Sequence, residues 1–184
     1  MNWQAIIPLK SRGERKTRLA ARLTEAERHA LTETMFAHVA SIVRATPGIA
    51  AITVLSDVSP PGWDGAFATD KGRGLNSELV ELAQHLGGPL LIIHADLPLL
   101  CEADVAAMLD AAERGHAIAP DRHAGGTNAL ALRDPTSFTF AFGPESFARH
   151  CAAAGGDAQI VTRRGLAFDI DTPADLDAMR AWRE

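Results

Sequence analysis

This sequence has few cysteines, lacks long apolar stretches and has no excess of basic residues. The two cysteines, Cys101 and Cys151, lie far apart without the spacing of a metal site, and they suit a reducing compartment. Apolar runs such as Pro89 to Ile93 are far too short to span a bilayer, so no membrane partner is expected. Walker A and G-x-G-x-x-G fingerprints are absent, which excludes the commonest phosphate-binding loops.

The overall charge is acidic, yet basic residues are concentrated in one segment. Lys and Arg total 18 against 23 Asp and Glu, which leaves a formal net charge of −5. No nucleic-acid partner is expected, because neutralising the phosphates of a duplex requires a surplus of cations. Five cations and one acid lie between residues 10 and 18, and this cluster indicates a site for a small polyanion. The cations are Lys10, Arg12, Arg15, Lys16 and Arg18.

Length and composition predict an ordinary globular chain. Its 184 residues are 47% apolar and 22% charged, which excludes intrinsic disorder and allows a sizeable core. No repeat or linker-like segment divides the sequence, so we expect one domain over residues 1–184. The first residues, Met1-Asn2-Trp3-Gln4, lack the regions of a signal peptide, and we expect a cytoplasmic protein.

Short apolar runs alternate with segments of helical periodicity, a pattern that predicts an α/β fold with a mostly parallel sheet. The run 90–93 is apolar on both faces, as expected for a central strand covered on each side. The predicted strands are 5–7, 52–55, 66–68, 90–93, 117–119, 129–132 and 166–170. A capping box of Thr24 and Glu27 opens the first predicted helix. The other predicted helices are 75–86, 102–114, 144–154 and 173–182.

The basic segment lies between the first predicted strand and the first predicted helix. In open α/β sheets, ligands bind beyond the carboxyl ends of the strands, so this loop is well placed to bind one. Its cations suit a triphosphate or pyrophosphate, and Gly13 allows the backbone to approach the anion closely. A solvated basic surface loop is the alternative explanation of the same pattern.

Asp96 follows the most apolar predicted strand. An ionised carboxylate is costly to desolvate at such a position unless it is paired or binds a metal. Carboxylate oxygens suit Mg²⁺, which keeps several waters and bridges to phosphates. The alternative is that Asp96 caps the following turn, but the cost of burial favours metal ligation.

A second acidic pair, Asp169 and Asp171, precedes the last predicted helix. In the strand predicted there, both side chains point to the same face, where they repel each other unless a cation lies between them. Both are therefore candidate metal ligands. Asp175 has a structural explanation instead, because Thr172, Pro173 and Asp175 together form a favourable helix N-terminus.

Three glycine-bearing turns are further candidates for ligand contacts, although such turns are more often structural. Gly74 and Asn76 lie at the start of a predicted helix, where amide edges can contact a base. Thr127 follows two glycines and offers a hydroxyl group. Gly143 and Ser146 open another helix, whose amides suit a carboxylate or phosphate. Three scattered histidines show no zinc pattern, and core or surface roles are expected for them. They are His94, His123 and His150.

The candidate segments, taken in order, match one pattern from about residue 5 to residue 182. They are Ile7-Pro8-Leu9-Lys10, Lys16-Thr17-Arg18-Leu19, Gly74-Leu75-Asn76, Ala95-Asp96-Leu97-Pro98, Gly125-Gly126-Thr127-Asn128, Phe142-Gly143-Pro144-Glu145-Ser146 and Asp169-Ile170-Asp171-Thr172-Pro173. In this arrangement the sequence resembles the 2-phospho-L-lactate guanylyltransferase family, whose bacterial members include phosphoenolpyruvate and 3-phosphoglycerate guanylyltransferases. The segments 125–128 and 142–146 are the most specific, because general nucleotidyltransferases of the fold lack them.

The resemblance implies a Rossmann-like nucleotidyltransferase of the glycosyltransferase-A type, with a mostly parallel mixed sheet flanked by helices. It implies that GMP from GTP is joined to phosphoenolpyruvate, 3-phosphoglycerate or 2-phospholactate, with release of pyrophosphate. Mg²⁺ is the implied cofactor. The reaction belongs to the biosynthesis of the deazaflavin coenzyme F-420, and the product would pass to the next enzyme of that pathway.

Carried over residue by residue, the resemblance divides the candidates into groups. The residues implied to hold GTP are Lys10, Lys16, Arg18, Gly74 and Asn76. The implied metal ligands are Asp96, Asp169 and Asp171. The implied catalytic residues are Asp96 and Lys16. The implied contacts to the acid substrate are Thr127, Gly143 and Ser146. Glu145 departs from the family pattern, since many members have a small residue there, and its carboxylate would lie near an anionic substrate.

Two other interpretations compete with this one. A molybdopterin guanylyl- or cytidylyltransferase would match at Asp96 and the leading loop, but such enzymes typically carry a glycine-rich run where this chain has Ile7-Pro8-Leu9-Lys10. A non-catalytic nucleotide-binding α/β module has no need of a second acidic segment facing the first. The three aspartates therefore favour an enzyme.

Overall fold

A seven-stranded sheet organises the part of the chain that the computed structural model describes, which is residues 2–10 and 16–181. The strands are β1 (Trp3–Pro8), β2 (Ile49–Ser56), β3 (Ala66–Thr69), β4 (Leu90–Ile93), β5 (His116–Pro120), β6 (Thr127–Leu132) and β7 (Ala158–Ile160). Their order across the sheet is β3-β2-β1-β4-β6-β5-β7. Strand β6 is antiparallel to both neighbours and the other pairings are parallel, so the predicted mostly parallel mixed sheet is confirmed.

Helices connect many of the strands and cover both faces of the sheet. They are α1 (Glu25–Ala45), α2 (Leu75–Leu86), α3 (Glu102–Ala112), α4 (Ser146–Ala154), α5 (Arg164–Ala167) and α6 (Pro173–Ala181). The predicted capping box opens α1, because the N–H of Thr24 donates to the Glu27 carboxylate at 2.8 Å and the Thr24 hydroxyl accepts from the N–H of Glu27. Across the described residues, no helix is both long and apolar enough to cross a membrane.

Alternation of side chains along the strands divides the core into two layers. In β1, Ile6 faces one layer and Ile7 the other, and in β4 the same holds for Ile92 and Ile93. Helices α1, α3 and α5 cover the Ile7 layer, and α2 and α4 cover the Ile6 layer. All four residues of β4 are therefore buried, as its sequence predicts.

The strand predicted at 166–170 is wrong. The structure has a helical turn, α5, up to residue 167, and the residues that follow do not pair with the sheet. Every interior strand of the sheet, β5 included, already pairs with two neighbours, so the segment has no free partner inside the sheet. The apolar alternation of Phe168 and Ile170 is satisfied instead by a separate apolar cluster that includes Leu19 and Met35.

Strand β7 is an element that the sequence pattern does not predict. It has three residues, and its one large apolar side chain, Ile160, is 46% exposed at the edge of the sheet. Its pairing with β5 forms only in the tertiary structure, so the local sequence carries little signal. Two predicted helices are slightly too long, since α3 ends at Ala112 and α4 begins at Ser146.

We expect Ile92→Ala, in β4, to lower the free energy of unfolding by about 2–5 kcal/mol, because this buried side chain leaves a cavity. The matched change Ile160→Ala, at the exposed edge, should cost less than about 1 kcal/mol. Urea denaturation followed by circular dichroism measures both values. Equal losses at the two positions would contradict the assignment of β4 to the centre of the core.

Candidate active site

A cavity of about 570 Å³ lies at the carboxyl ends of β1 and β4. Strand β2 pairs with one side of β1 and β4 with the other, so the cavity lies at a switch point of the sheet, where α/β proteins bind ligands. Lys10 follows β1 and Asp96 follows β4, and residues at the starts of β6, α2 and α4 complete the wall.

All but one of the predicted site residues line this cavity. The exception is Arg18, whose side chain is largely exposed and lies 3.9 Å from Asp171. Arg12, Gly13 and Arg15 of the basic segment lie outside the described residues. The predicted residues that line the cavity are Lys10, Lys16, Gly74, Asn76, Asp96, Thr127, Gly143, Ser146, Asp169 and Asp171.

Three carboxylates meet on one side of the cavity and form an acidic cluster. One oxygen from each of Asp96, Asp169 and Asp171 lies within 4.8 Å of the other two. Asp96 comes from the loop after β4, and the other two come from the segment between α5 and α6. Phe168 and Ile170 pack into the apolar cluster while the alternate aspartates line the cavity. The two aspartates therefore share a face although the segment is not a strand.

Lys16 lies between two of these carboxylates. Its Nζ donates hydrogen bonds to Asp96 and to Asp171 Oδ1, the latter at 2.8 Å. Burial disfavours the ammonium form, but the two carboxylates outweigh that cost, and the pKa of Lys16 is raised above its ordinary value. Its backbone is left-handed, with φ at 52°, a strained conformation that is typical of functional sites. The lysine therefore brings a positive charge into the acidic cluster.

The carboxylates of the cluster differ in pKa, because their surroundings favour the ionised form to different degrees. Burial is the largest influence on Asp96 and acts to raise its pKa, but the charge and hydrogen bond of Lys16 together with smaller contributions outweigh it, so that pKa is lowered. At Asp169, burial and then the charges of Asp96 and Asp171 raise the pKa to about 6. The cluster therefore carries more negative charge than its own lysine neutralises.

One oxygen of the cluster is suited to a bound cation. Asp96 Oδ1 is buried and accepts no hydrogen bond from any described residue, which is costly for a carboxylate oxygen. A divalent cation among the three carboxylates would satisfy this oxygen and reduce the repulsion at Asp169. A donor set made only of oxygens suits Mg²⁺.

Asp175 holds the backbone that carries Asp171. Its Oδ2 accepts hydrogen bonds from the N–H groups of Asp171 at 2.8 Å and Thr172 at 2.6 Å. Its Oδ1 pairs with Arg122, from the loop between β5 and β6, and the Arg122 guanidinium lies over the ring of Phe168. These contacts confirm the structural role predicted for Asp175.

The loop that enters α2 is held by the buried carboxylate of Glu78. Glu78 accepts hydrogen bonds from the N–H of Lys71 at 3.1 Å and from the Arg73 guanidinium at 2.7 Å. The bond from Arg73 lowers the pKa of Glu78 to about 2. Gly74 follows with φ at 90°, a conformation that favours glycine. Arg73 thus acts on the shape of the loop in front of α2.

Asn76 connects this loop with the segment before α4, which also lines the cavity. Its Nδ2 donates to the carbonyl oxygen of Phe142 at 3.0 Å, and its Oδ1 accepts from the N–H of Phe142 at 2.7 Å. This pair of bonds orients the peptide that leads into Gly143. A contact between Asn76 and a nucleotide stays a prediction, and the structure adds a bracing role.

The wall formed by β6 and the start of α4 presents hydroxyl groups. Thr127 and Ser146 are each 2% exposed and line the cavity. Gly143 has φ at 123°, which side-chain-bearing residues rarely adopt. Glu145 is exposed and is not among the lining residues, so its carboxylate does not face the cavity.

His150, on α4, is fully buried behind this wall. Its Nε2 accepts a hydrogen bond from the N–H of Ala141 at 3.0 Å, and its Nδ1 lies 2.9 Å from Thr127 Oγ1. Burial lowers the pKa of His150 to about 4. Of the core and surface roles expected for the scattered histidines, His150 therefore has the core one.

The lining also includes residues outside the predicted set, among them Asp121, His94 and Asn128. The ring of His94 is tilted against that of Phe142, with 5.5 Å between their centroids, and burial lowers its pKa. Asn128 donates to the carbonyl oxygen of Leu166 at 3.0 Å and so ties β6 to α5. The position of His94 directly after an apolar strand, two residues before Asp96, was the available signal.

The fold is that of the nucleotidyltransferases. The solved structure of a nucleotidyl transferase from Methanothermobacter thermautotroptrophicus matches 98% of this chain and 96% of its own, with a TM-score of 0.67 and 14% identity. A likeness at this identity concerns the fold alone. The predicted Rossmann-like nucleotidyltransferase fold is therefore confirmed.

The sequence then defines the family. The family described as "Guanylyl transferase CofC like" matches residues 3–180, and the chain belongs to it. The phosphoenolpyruvate guanylyltransferase of Sphaerobacter thermophilus is 40% identical over 95% of this chain and 91% of its own. That of Rubrobacter xylanophilus is 37% identical over 96% of this chain and 93% of its own. The family predicted from the motifs is confirmed, and the two alternative interpretations are not favoured.

Asp169→Asn should have opposite effects on stability and on metal binding. In the metal-free protein it removes one of three crowded carboxylates, so the free energy of unfolding at alkaline pH should rise. The affinity for Mg²⁺ or Mn²⁺, measured by isothermal titration calorimetry, should fall about tenfold or more because a ligand is lost. The control Asp177→Asn, at an exposed site paired with Arg22, should change neither value appreciably. Unchanged metal affinity in Asp169→Asn would rule out its role as a ligand.

Protonation of His150 should destabilise the protein in acid. The pKa is about 4 in the folded state against 6.5 ordinarily, so its contribution to stability is complete above 6.5 and is lost as the pH falls toward 4. Across that window the loss is on the order of 3 kcal/mol. The free energy of unfolding, measured with urea at a series of pH values, should depend less steeply on pH in His150→Gln than in the wild type. Equal slopes would mean that His150 titrates alike in the folded and unfolded states.

Proposed function

We propose that this protein transfers GMP from GTP to the phosphate group of a phosphorylated three-carbon acid and releases pyrophosphate. One observation carries the proposal: a single cavity is lined by two lysines, by three clustered carboxylates and by the hydroxyl-bearing residues Thr127 and Ser146. The names of the relatives support GTP as the nucleotide and phosphoenolpyruvate as the first acid to test. The other candidate acids are 3-phosphoglycerate and 2-phospholactate.

Lys10, Lys16 and Arg18 would bind the triphosphate. Lys10 and Lys16 line the cavity, and Arg18 lies beside Asp171. Their charges offset the repulsion between the triphosphate and the acidic cluster, and the raised pKa of Lys16 keeps its ammonium group charged. Gly74 would lie at the nucleotide, at the end of the loop that Glu78 holds.

Asp96, Asp169 and Asp171 would hold Mg²⁺. When bound, the metal would neutralise charge on the phosphate oxygens and stabilise the five-coordinate transition state. Two features of the cluster support the assignment, because a cation relieves both of them. These are the unsatisfied buried oxygen of Asp96 and the raised pKa of Asp169.

Thr127, Gly143 and Ser146 would bind the acid substrate. The two hydroxyl groups, together with the amide groups at the start of α4, can donate hydrogen bonds to a carboxylate. Because the Glu145 carboxylate is exposed outside the lining, it does not oppose an anion at this wall. The departure from the family pattern at Glu145 is thus compatible with the assignment.

The transfer needs little acid–base chemistry from the protein. A phosphate oxygen of the acid attacks the α-phosphorus of GTP and forms a new P–O bond, while the bond to the β-phosphate oxygen breaks and pyrophosphate leaves with that electron pair. The attacking phosphate is already ionised at neutral pH, so no side chain has to remove a proton from it. Lys16 and the other site residues therefore act by positioning two anions and offsetting their charge.

The product would be a GMP conjugate in which the acid is activated through a diphosphate bond. Such a conjugate suits a following step in which GMP is the leaving group. We propose that this step belongs to the biosynthesis of the deazaflavin coenzyme F-420 and that the next enzyme of that pathway receives the product.

With GTP, Mg²⁺ and phosphoenolpyruvate, the purified protein should release pyrophosphate in a coupled pyrophosphatase assay. Asp96→Asn should lower kcat by about 100-fold or more, because the carboxylate that contacts Lys16 and completes the cluster is neutralised. The matched control Asp177→Asn should retain wild-type turnover. Mass spectrometry of the products, with all three acids offered together, identifies the preferred substrate.

Two outcomes of this assay would count against the proposal. If no pyrophosphate were released with any of the three acids, the proposed reaction would be wrong. If Asp96→Asn turned over at nearly the wild-type rate, the metal-ligand assignment of Asp96 would be wrong while the reaction could stand.

A further inference from the structure

His150 connects three parts of the acid-binding wall through one buried ring. It lies one helical turn after Ser146 on α4, and therefore on the same face of that helix. Its Nδ1 is 2.9 Å from Thr127 Oγ1, at the start of β6. Its Nε2 is 3.0 Å from the backbone nitrogen of Ala141, in the loop that leads to Gly143.

These two contacts determine which ring nitrogen carries the proton. A backbone N–H can only donate, so Nε2 must be the unprotonated, accepting nitrogen. In a neutral imidazole, Nδ1 then carries the proton and donates it to Thr127 Oγ1. The surroundings keep the ring neutral: Phe138 and Phe142 pack against it with 5.8 and 4.7 Å between ring centroids, and burial disfavours its protonation.

The direction of this hydrogen bond determines what Thr127 offers to a ligand. The hydroxyl oxygen accepts from His150, so the hydroxyl proton has to be donated to another group. Thr127 is 2% exposed and lines the cavity, and within residues 2–10 and 16–181 no side chain or carbonyl accepts that proton. The proton is therefore available to an acceptor inside the cavity.

We propose that His150 is a positioning residue that holds the Thr127 hydroxyl as a hydrogen-bond donor to an anionic oxygen of the acid substrate. This inference rests on the function proposed above. The carboxylate and phosphate oxygens of the acid only accept hydrogen bonds, so a hydroxyl whose proton is directed into the cavity selects for them.

An uncharged donor also helps to keep the two anionic substrates apart. A cation at this wall would compete with Lys16 for the phosphates of GTP, whereas a hydroxyl supported by a neutral imidazole does not. The arrangement assigns the part of the cavity with Lys16 and the three clustered carboxylates to the triphosphate, and the part with the Thr127 hydroxyl to the acid. His150 thereby contributes to specificity without touching either substrate.

His150 additionally holds the loop that carries Gly143. Its Nε2 accepts from Ala141, while Asn76 pairs with both backbone groups of Phe142. One ring therefore has two separable effects, since Nδ1 orients a hydroxyl and Nε2 holds a backbone segment. Replacing His150 by Gln or by Asn removes one of these two hydrogen bonds and retains the other.

The tautomer can be measured on the protein without substrates. A long-range ¹⁵N–¹H correlation spectrum of histidine-labelled protein should show His150 at neutral pH as the uncharged tautomer with the proton on Nδ1. The signal is assigned by its absence from His150→Gln. A proton on Nε2, or a charged ring at neutral pH, would overturn the proposal whatever the catalytic activity.

Kinetics of two variants then test the consequence for the substrate. Gln places an amide oxygen near the position that Nε2 has in the wild type, so it retains the acceptor for the N–H of Ala141. Asn places an amide nitrogen near the position of Nδ1, so it retains the donor to Thr127. His150→Gln should raise the KM for the acid by about 10- to 100-fold, with the KM for GTP and kcat little changed, because a hydrogen bond to a charged group is lost. His150→Asn should raise the acid KM much less. His85→Gln, at an exposed position of α2, is the matched control.

A double-mutant cycle separates the proposed role from a purely structural one. Thr127→Val should raise the acid KM by a similar factor, and His150→Gln should add little in that background, because both changes remove the same donor. Equal effects of His150→Gln and His150→Asn, or multiplied effects in the double mutant, would overturn the proposal. If the wild type were inactive with all three acids, the proposed function would be wrong, and the tautomer measurement would still decide whether His150 directs the Thr127 proton.

Discussion

The burial of Lys16 between Asp96 and Asp171 is the interaction on which the candidate site depends. It joins three stretches of chain that are far apart in sequence: the basic segment, the loop after β4 and the segment before α6. Without the ammonium group, three carboxylates within 4.8 Å of one another would repel strongly in a partly buried cavity. The lysine does not offset all of that charge, since the pKa of Asp169 is still raised to about 6. The same imbalance makes the cluster suited to a divalent cation.

The loops around the cavity owe their shape to buried and half-buried side chains that bind backbone groups. Asp175 holds the N–H groups of the segment between α5 and α6, Glu78 holds the loop before α2, and Asn76 and His150 hold the loop before α4. Each of these polar side chains is satisfied by the backbone that it positions, which lowers the cost of its burial. The cavity thus combines a lysine within an acidic cluster with hydroxyl-bearing residues at the starts of β6 and α4, an arrangement suited to two anionic substrates that must react with each other.

Much of this site was predictable because the relevant signals are local. An aspartate shortly after the most apolar run predicted the position of Asp96, and the i, i+2 spacing of Asp169 and Asp171 predicted that these two share a face. The predicted strand at 166–170 failed for a non-local reason, since the interior positions of the sheet are already filled. Strand β7 was missed because three residues at an edge carry too weak a pattern.

The sequence by itself determined the α/β class, the order of its main helices and strands, and the residue types that gather at the carboxyl ends of the strands. Those properties follow from periodicity and burial, which neighbouring residues encode. Only the tertiary structure decided which charges meet: Lys16 and Asp171 are 155 positions apart, and their contact follows from the strand order. It also decided the direction of the bond between His150 and Thr127, because the N–H of Ala141 determines which nitrogen of the ring is protonated.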